Sequence, residues 1–149
     1  MATIKGRINA ISVSKEKGTQ KVNVLKAELR ADFGIVGDAH AGCTRRQVSL
    51  LAVESIEKMA VKGVKVSPGN FAENITTEGI NLQSLEVGSK LKLGESVELE
   101  ITQFRKTCHN RCEIFKQIGD CIMPREGVFA RVTRPGRINV GDVIEVLND

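Results

Sequence analysis

Hydrophobic and polar residues alternate along several short stretches of the chain, which is the pattern of β-strands with one buried face. In the clearest case, Val97, Leu99 and Ile101 alternate with polar residues. The same reasoning predicts further strands over 4–13, 21–29, 47–51, 71–76, 91–93, 127–132 and 143–147, with turns at 68–70, 94–96 and 134–137. The pattern therefore predicts a mainly β fold.

Two segments favour short helices. Val53, Ile56 and Ala60 recur at helical spacing, which predicts a helix over 53–61 that Gly63 ends. A second short helix is expected over 110–118. Many short strands, two short helices and regularly placed glycine turns predict a β-barrel-like domain that spans residues 1–149.

Composition narrows the class of protein. Aromatic residues make up 3% of the chain, too few for the stacking platforms of single-strand nucleic-acid binders. The net charge of +4 comes from scattered lysines and arginines, which indicates a solvated basic surface that still favours an anionic ligand. We expect no nucleic-acid partner, and composition leaves the oligomeric state open.

No apolar stretch approaches the roughly 18–20 residues of a membrane helix, and the first residues lack the apolar core of a secretory signal. We therefore expect a cytoplasmic protein without a membrane partner. Cytosolic thiols stay reduced, so the four cysteines are interpreted as thiols, ligands or nucleophiles. Three of them, Cys108, Cys112 and Cys121, fall close together.

The segment from Thr107 to Cys112 has the surroundings of a reactive thiol. A thiolate is favoured at a helix N-terminus and beside cations, here Arg105, Lys106 and Arg111, while His109 could move a proton. Catalytic candidates are therefore Cys112, Cys108, Cys121 and His109. Buried structural cysteines are one alternative. Another is a structural zinc site, in which these cysteines and His109 or His40 supply ligands and the protein has no catalytic activity.

Three further segments carry candidate ligand-binding groups. The glycine-rich loop 34–46 holds Asp38 and His40, with Arg45 and Arg46 suited to an anion; a structural turn capped by Asp38 is the alternative. Glu73 and Asn74 lie on an apolar background, which favours a structural role slightly over ligand binding. Arg131 lies in an apolar strand, where it either binds an anion or pairs with Glu73 or Glu126.

Taken together, the chain resembles the MOSC domain, named for the C-terminal domain of molybdenum-cofactor sulfurase, and is most similar to its small free-standing bacterial forms. The matching segments, in order, are 37–42, 46–50, 69–74, 108–112, 119–127 and 141–142. This resemblance implies a β-barrel-like fold that receives sulfur on a cysteine and passes it to a metal–sulfur cofactor.

The resemblance also suggests partners and roles. A cysteine desulfurase or molybdenum-cofactor biosynthesis proteins are the implied partners, and pyridoxal phosphate belongs to the desulfurase. In larger relatives a cysteine ligates molybdenum. Arg111-Cys112 matches that setting, whereas the position nearer the strand end favours Cys108. The implied cofactor-binding residues are Asp38, His40, Arg46, Glu73, Asn74, Arg111, Arg125 and Arg131. The family's larger members add one more alternative, a small reductase of N-hydroxylated compounds.

Overall fold

A computed structural model describes residues 4–15, 21–39, 41–42, 47–61, 68–69, 73–104 and 127–147. In chain order the elements are β1 (Lys5–Val13), β2 (Val22–Val24), β3 (Lys26–Arg30), β4 (Gly34–Ile35), β5 (Val48–Ala52), α1 (Val53–Val61), β6 (Ile75–Glu78), a 3₁₀ helix (Leu82–Ser84), β7 (Lys90–Leu93), β8 (Val97–Phe104), β9 (Val128–Arg134), β10 (Gly136–Asn139) and β11 (Val143–Leu147). Strands dominate, as predicted.

Seven of these strands form a closed barrel. The order β11-β7-β8-β9-β5-β6-β1 continues by hydrogen bonds from β1 back to β11, while β2 extends the sheet beside β1. Only β5 and β6 run parallel among the barrel pairs. A second sheet of three strands, in the order β10-β3-β4, lies beside the barrel. The predicted β-barrel-like fold is confirmed.

Alternation along each strand builds the barrel core. Val128, Ala130 and Val132 of β9 point inward, as do Val97, Leu99 and Ile101 of β8. Most other core side chains are aliphatic as well, with Ile8, Leu50, Ile75 and Leu91 fully buried or nearly so. Burial of such side chains contributes about 1.5–3 kcal/mol each, so the aliphatic interior makes up for the scarcity of aromatic residues in the sequence.

Several predicted boundaries are confirmed and others are wrong. The helix 53–61 and the strand 143–147 have the predicted bounds. The single strand predicted over 21–29 is wrong: the chain bends at Leu25, because β2 pairs with β1 whereas β3 pairs with β10. The predicted turn at 134–137 is too long, because Arg134 ends β9 and Gly136 and Arg137 pair with β3.

The strand predicted over 71–76 begins later, at Ile75, so Glu73 and Asn74 precede it. The helix predicted over 110–118 lies outside the described residues. Gly63, which was predicted to end the helix over 53–61, lies outside them as well. Within the described ranges, no helix is long and apolar enough to cross a membrane.

Candidate functional site

Asp38 forms a buried ion pair with Lys21. The Lys21 ammonium lies 2.8 Å from Asp38 Oδ1, and both side chains are fully shielded from solvent. The same ammonium donates to Ser14 Oγ at 3.1 Å, and the Ser14 backbone N–H donates to Asp38 Oδ1 at 3.1 Å. Since burying an unpaired charge is costly, these contacts are what allow two charges to sit in the interior.

The ion pair connects two separate parts of the chain. Lys21 begins the β2 segment, where its backbone N–H donates to the Gly69 carbonyl at 2.8 Å. Asp38 lies in the turn after β4, with its own N–H bonded to the Ile35 carbonyl at 3.1 Å. Asp38 therefore anchors the glycine-rich loop to the end of β1. It holds in place the backbone that leads to His40.

Asn74 joins β1 to β5 through its side chain. Its Oδ1 accepts from the Ser49 backbone N–H at 3.0 Å and from Ser49 Oγ at 3.1 Å. Its amide Nδ2 donates to the Ser12 carbonyl at 3.1 Å. Asn74 is fully buried, and these hydrogen bonds satisfy both the oxygen and the nitrogen of its side-chain amide. The Asn74 side chain thus has a structural role in this arrangement.

Glu73 is also fully buried, and its carboxylate accepts a hydrogen bond from Thr76 Oγ1 at 3.1 Å. Thr76 alternates with the inward-facing Ile75, so it lies on the outer face of the barrel. Glu73 therefore places a carboxylate against the outside of β6, in a region that is covered.

The outer face of the barrel is buried over part of β5, β6 and β9. Ser49 and Leu51 lie between the inward-facing residues of β5, and Phe129 occupies the equivalent position on β9. All three are at most 2% exposed. Antiparallel sheets commonly leave one face to solvent, so a covered outer face with polar groups distinguishes this side of the barrel.

Arg131 lies on the outer face of β9 and is partly exposed. Its Nε is 3.4 Å from Glu100 Oε2, and its Nη1 is 4.0 Å from Asp32 Oδ1. The structure thus gives Arg131 carboxylate partners, as the ion-pair interpretation predicted, but from residues that the sequence did not suggest. Gln47 links the same region: its Nε2 donates to Asp32 Oδ1 at 3.1 Å and its Oε1 accepts from the Val132 N–H at 3.0 Å.

The described candidate residues lie towards one end of the barrel. Asn74 is hydrogen-bonded to Ser49 at the start of β5. Asp38 is hydrogen-bonded to Ser14, which directly follows the end of β1. The β5–β9 register places Val48 opposite Ala130, so Arg131 lies towards this end as well. Four predicted cofactor-binding residues, Asp38, Glu73, Asn74 and Arg131, therefore share one end of the fold.

The segment that carries the clustered cysteines joins the barrel at the other end. It follows Phe104 and precedes Val128, and these two residues pair with each other. Val128 lies opposite Leu50, near the point where β5 leads into α1. The remaining candidates lie outside the described residues: Cys108, His109, Arg111, Cys112, Cys121, Arg125, His40, Arg45 and Arg46. Their catalytic and cofactor-binding roles stay predictions.

The metal site is likewise a prediction. Among the residues that the structure describes, no three His, Cys, Asp or Glu side chains cluster as metal ligands. Every cysteine and both histidines lie outside those residues, so this finding bears on neither the zinc nor the molybdenum interpretation.

Lys21 and Gln47 are site residues that sequence reasoning missed. Lys21 is 17 residues from Asp38 and looks like an ordinary polar position in an alternating strand. Gln47 is 85 residues from Val132. No local pattern pairs residues so far apart. The signal available in the sequence was indirect, because a buried aspartate in a glycine-rich loop needs a hydrogen-bond donor from elsewhere in the chain.

Comparisons with known proteins agree with this fold. The protein-family model of the MOSC domain matches residues 37–145. Comparison with curated proteins finds no match. Among solved structures, the YuaD protein from Bacillus subtilis has a TM-score of 0.82 at 22% identity, with 97% of each chain covered.

Two further structures are similar. YiiM from Geobacillus stearothermophilus has a TM-score of 0.72 at 19% identity, over 96% of this chain and 75% of that one. YiiM from Escherichia coli has a TM-score of 0.69 at 18% identity, over 96% and 70%. At these identities the structures support the fold alone. The family model spans most of the chain, including Asp38, Asn74 and the clustered cysteines: the chain belongs to the MOSC domain family.

Proposed function

We propose that this protein is a molybdenum-cofactor-related domain that accepts sulfur on a reactive cysteine and delivers it to a metal–sulfur cofactor. The observation that carries the proposal is the family match over 37–145, because that range contains the whole cysteine cluster and the cations around it. Cys112 and Cys108 are the two candidate acceptors, with Cys121 and His109 in supporting roles.

Sulfur transfer to this chain needs no external oxidant. The cysteine thiolate attacks the outer sulfur of a persulfide on the donor's cysteine. A new S–S bond forms, the donor's S–S bond breaks, and the donor's cysteine leaves as a thiolate. A cysteine desulfurase is the donor class that supplies such a persulfide, and its pyridoxal phosphate would stay with it.

The described residues fit a supporting role towards a molybdenum cofactor. The Asp38 carboxylate and the Asn74 amide are held by protein groups at 2.8–3.1 Å, so they position the surrounding backbone. Thiolate is a soft ligand of the kind that a cysteine offers to a metal, and we assign that part to Cys112. Arg46, Arg111 and Arg125 are the cations proposed for the cofactor's phosphate. When bound, the cofactor would supply the metal centre that receives the sulfur.

Sulfur loading tests the proposal. The purified protein is incubated with a cysteine desulfurase and L-cysteine, and the added sulfur is mapped by mass spectrometry without reductant. We expect one additional sulfur on Cys112 or Cys108, lost when that cysteine is changed to serine. Cys43→Ser is the matched control and should load normally, because Cys43 lies apart from the cluster. No added sulfur on any clustered cysteine would refute the proposal.

A further inference from the structure

The outer face of the three-stranded sheet carries an excess of positive charge. Lys26, Glu28 and Arg30 alternate with buried residues along β3 and are exposed. Arg137 and Asn139 of β10 lie directly opposite Glu28 and Lys26, and therefore on the same face. Three cations thus share this face with one carboxylate.

The single carboxylate of this face is already paired. Glu28 Oε2 lies 3.4 Å from Arg30 Nε. Among the described residues, neither Lys26 nor Arg137 takes part in an ion pair. Arg137 is diagonal to Lys26 in the register, which places their Cα atoms about 7–8 Å apart. The face therefore presents two adjacent cations to whatever approaches it.

Apolar side chains flank these cations. Leu25, which immediately precedes Lys26, is 81% exposed. Val140 is 39% exposed and is joined to Leu25 by a backbone hydrogen bond of 2.9 Å. On the other side, Val36 contributes to an open cavity of about 650 Å³ together with Lys26 and Arg137. We name this surface, Leu25, Lys26, Val36, Arg137 and Val140, the basic sheet face.

We propose that the basic sheet face is a docking surface for an acidic protein partner. Interface cores combine arginine with apolar side chains. Val36 lines one open cavity with Lys26 and Arg137, while Leu25 and Val140 are exposed at the adjoining ends of β3 and β10, with no covering element among the described residues. A small anion would satisfy Lys26 and Arg137 but leave Leu25 and Val140 in water. A partner with carboxylates around an apolar side chain would satisfy both. The inference does not depend on the cysteines or on sulfur transfer.

Binding of a defined probe tests this inference. The probe is a fluorescently labelled glutamate-rich peptide containing two leucines, titrated with the full-length protein and followed by anisotropy. We expect saturable binding that weakens with added salt. Lys26→Glu and Arg137→Glu should each weaken it about tenfold, as for interface residues whose loss costs roughly the energy of one decade in affinity. Leu25→Ser, which changes no charge, should also weaken it.

Lys90→Glu is the matched control, since Lys90 is likewise an exposed strand lysine but lies on β7. It should bind the peptide as the unmodified protein does. Equal weakening by Lys90→Glu would show that net charge alone is responsible and would overturn the proposal. Absence of peptide binding would also overturn it, as would full competition by inorganic phosphate. Binding to phosphatidylglycerol vesicles but not to the peptide would point to a membrane instead and would likewise overturn it.

Discussion

Changing Lys21 to methionine is expected to lower the free energy of unfolding by about 3–5 kcal/mol, which is the usual cost of removing one partner of a buried ion pair. Methionine has a similar volume, so packing changes little. The Asp38 carboxylate, however, would lose a donor at 2.8 Å while remaining shielded from solvent. Ser14 Oγ would lose its donor as well. Urea denaturation of the two proteins measures the difference.

Two comparisons make this result specific. Lys26→Met, at an exposed lysine of β3, should change stability by about 0.5 kcal/mol or less. The double variant Lys21→Met with Asp38→Leu should recover part of the loss, because both charges of the pair are then absent from the interior. If Lys21→Met and Lys26→Met were equally mild, the buried ion pair would not exist in solution. If Lys21→Met fails to fold, recovery in the double variant provides the same test.

Changing Asn74 to alanine is also expected to lower the free energy of unfolding strongly. It would leave the Ser49 N–H and the Ser12 carbonyl without the side-chain partners that they have at 3.0 and 3.1 Å. Each buried group left unsatisfied costs about 1–3 kcal/mol. The connection between β1 and β5 should loosen locally, so hydrogen exchange at the Ser49 amide should accelerate along with the loss in urea stability.

Asn74→Asp separates the two halves of this amide. It keeps an acceptor for Ser49 but replaces the donor to Ser12 with a carboxylate oxygen that faces a carbonyl, so we expect it to be at least as damaging. Asn139→Ala, at an exposed asparagine of β10, is the control and should change little. Unchanged protection of the Ser49 amide in Asn74→Ala would contradict the hydrogen bonding described here.

Local patterns predicted the elements whose burial is decided locally. The alternation of Val97, Leu99 and Ile101 and the helical spacing of Val53, Ile56 and Ala60 reflect a single buried side, and the structure confirms both elements. Pro135 and Gly136 look like a turn in isolation. They connect two strands because Gly136 pairs with Leu29, which is more than 100 residues away in the chain. Such pairings leave no local trace.

The candidate site was predictable as a set of residues but not as an arrangement. Motif spacing identified Asp38, Glu73 and Asn74, and the structure brings all three to one barrel end. Their partners, Lys21, Thr76 and Ser49, were not identified. In the case of Lys21, alternation marks the residue as polar but cannot say that its ammonium turns inward. A buried charge pair depends on two distant segments at once, which a single-sequence pattern does not contain.

The reactivity of the clustered cysteines is the point on which the functional account depends. Timed alkylation of the native protein at neutral pH, with each cysteine quantified by peptide mapping, tests it most directly. We predict that Cys108 or Cys112 reacts faster than Cys43, because cations favour the thiolate and a sulfur acceptor must be accessible. If Cys108, Cys112 and Cys121 all react only after denaturation, the account is contradicted.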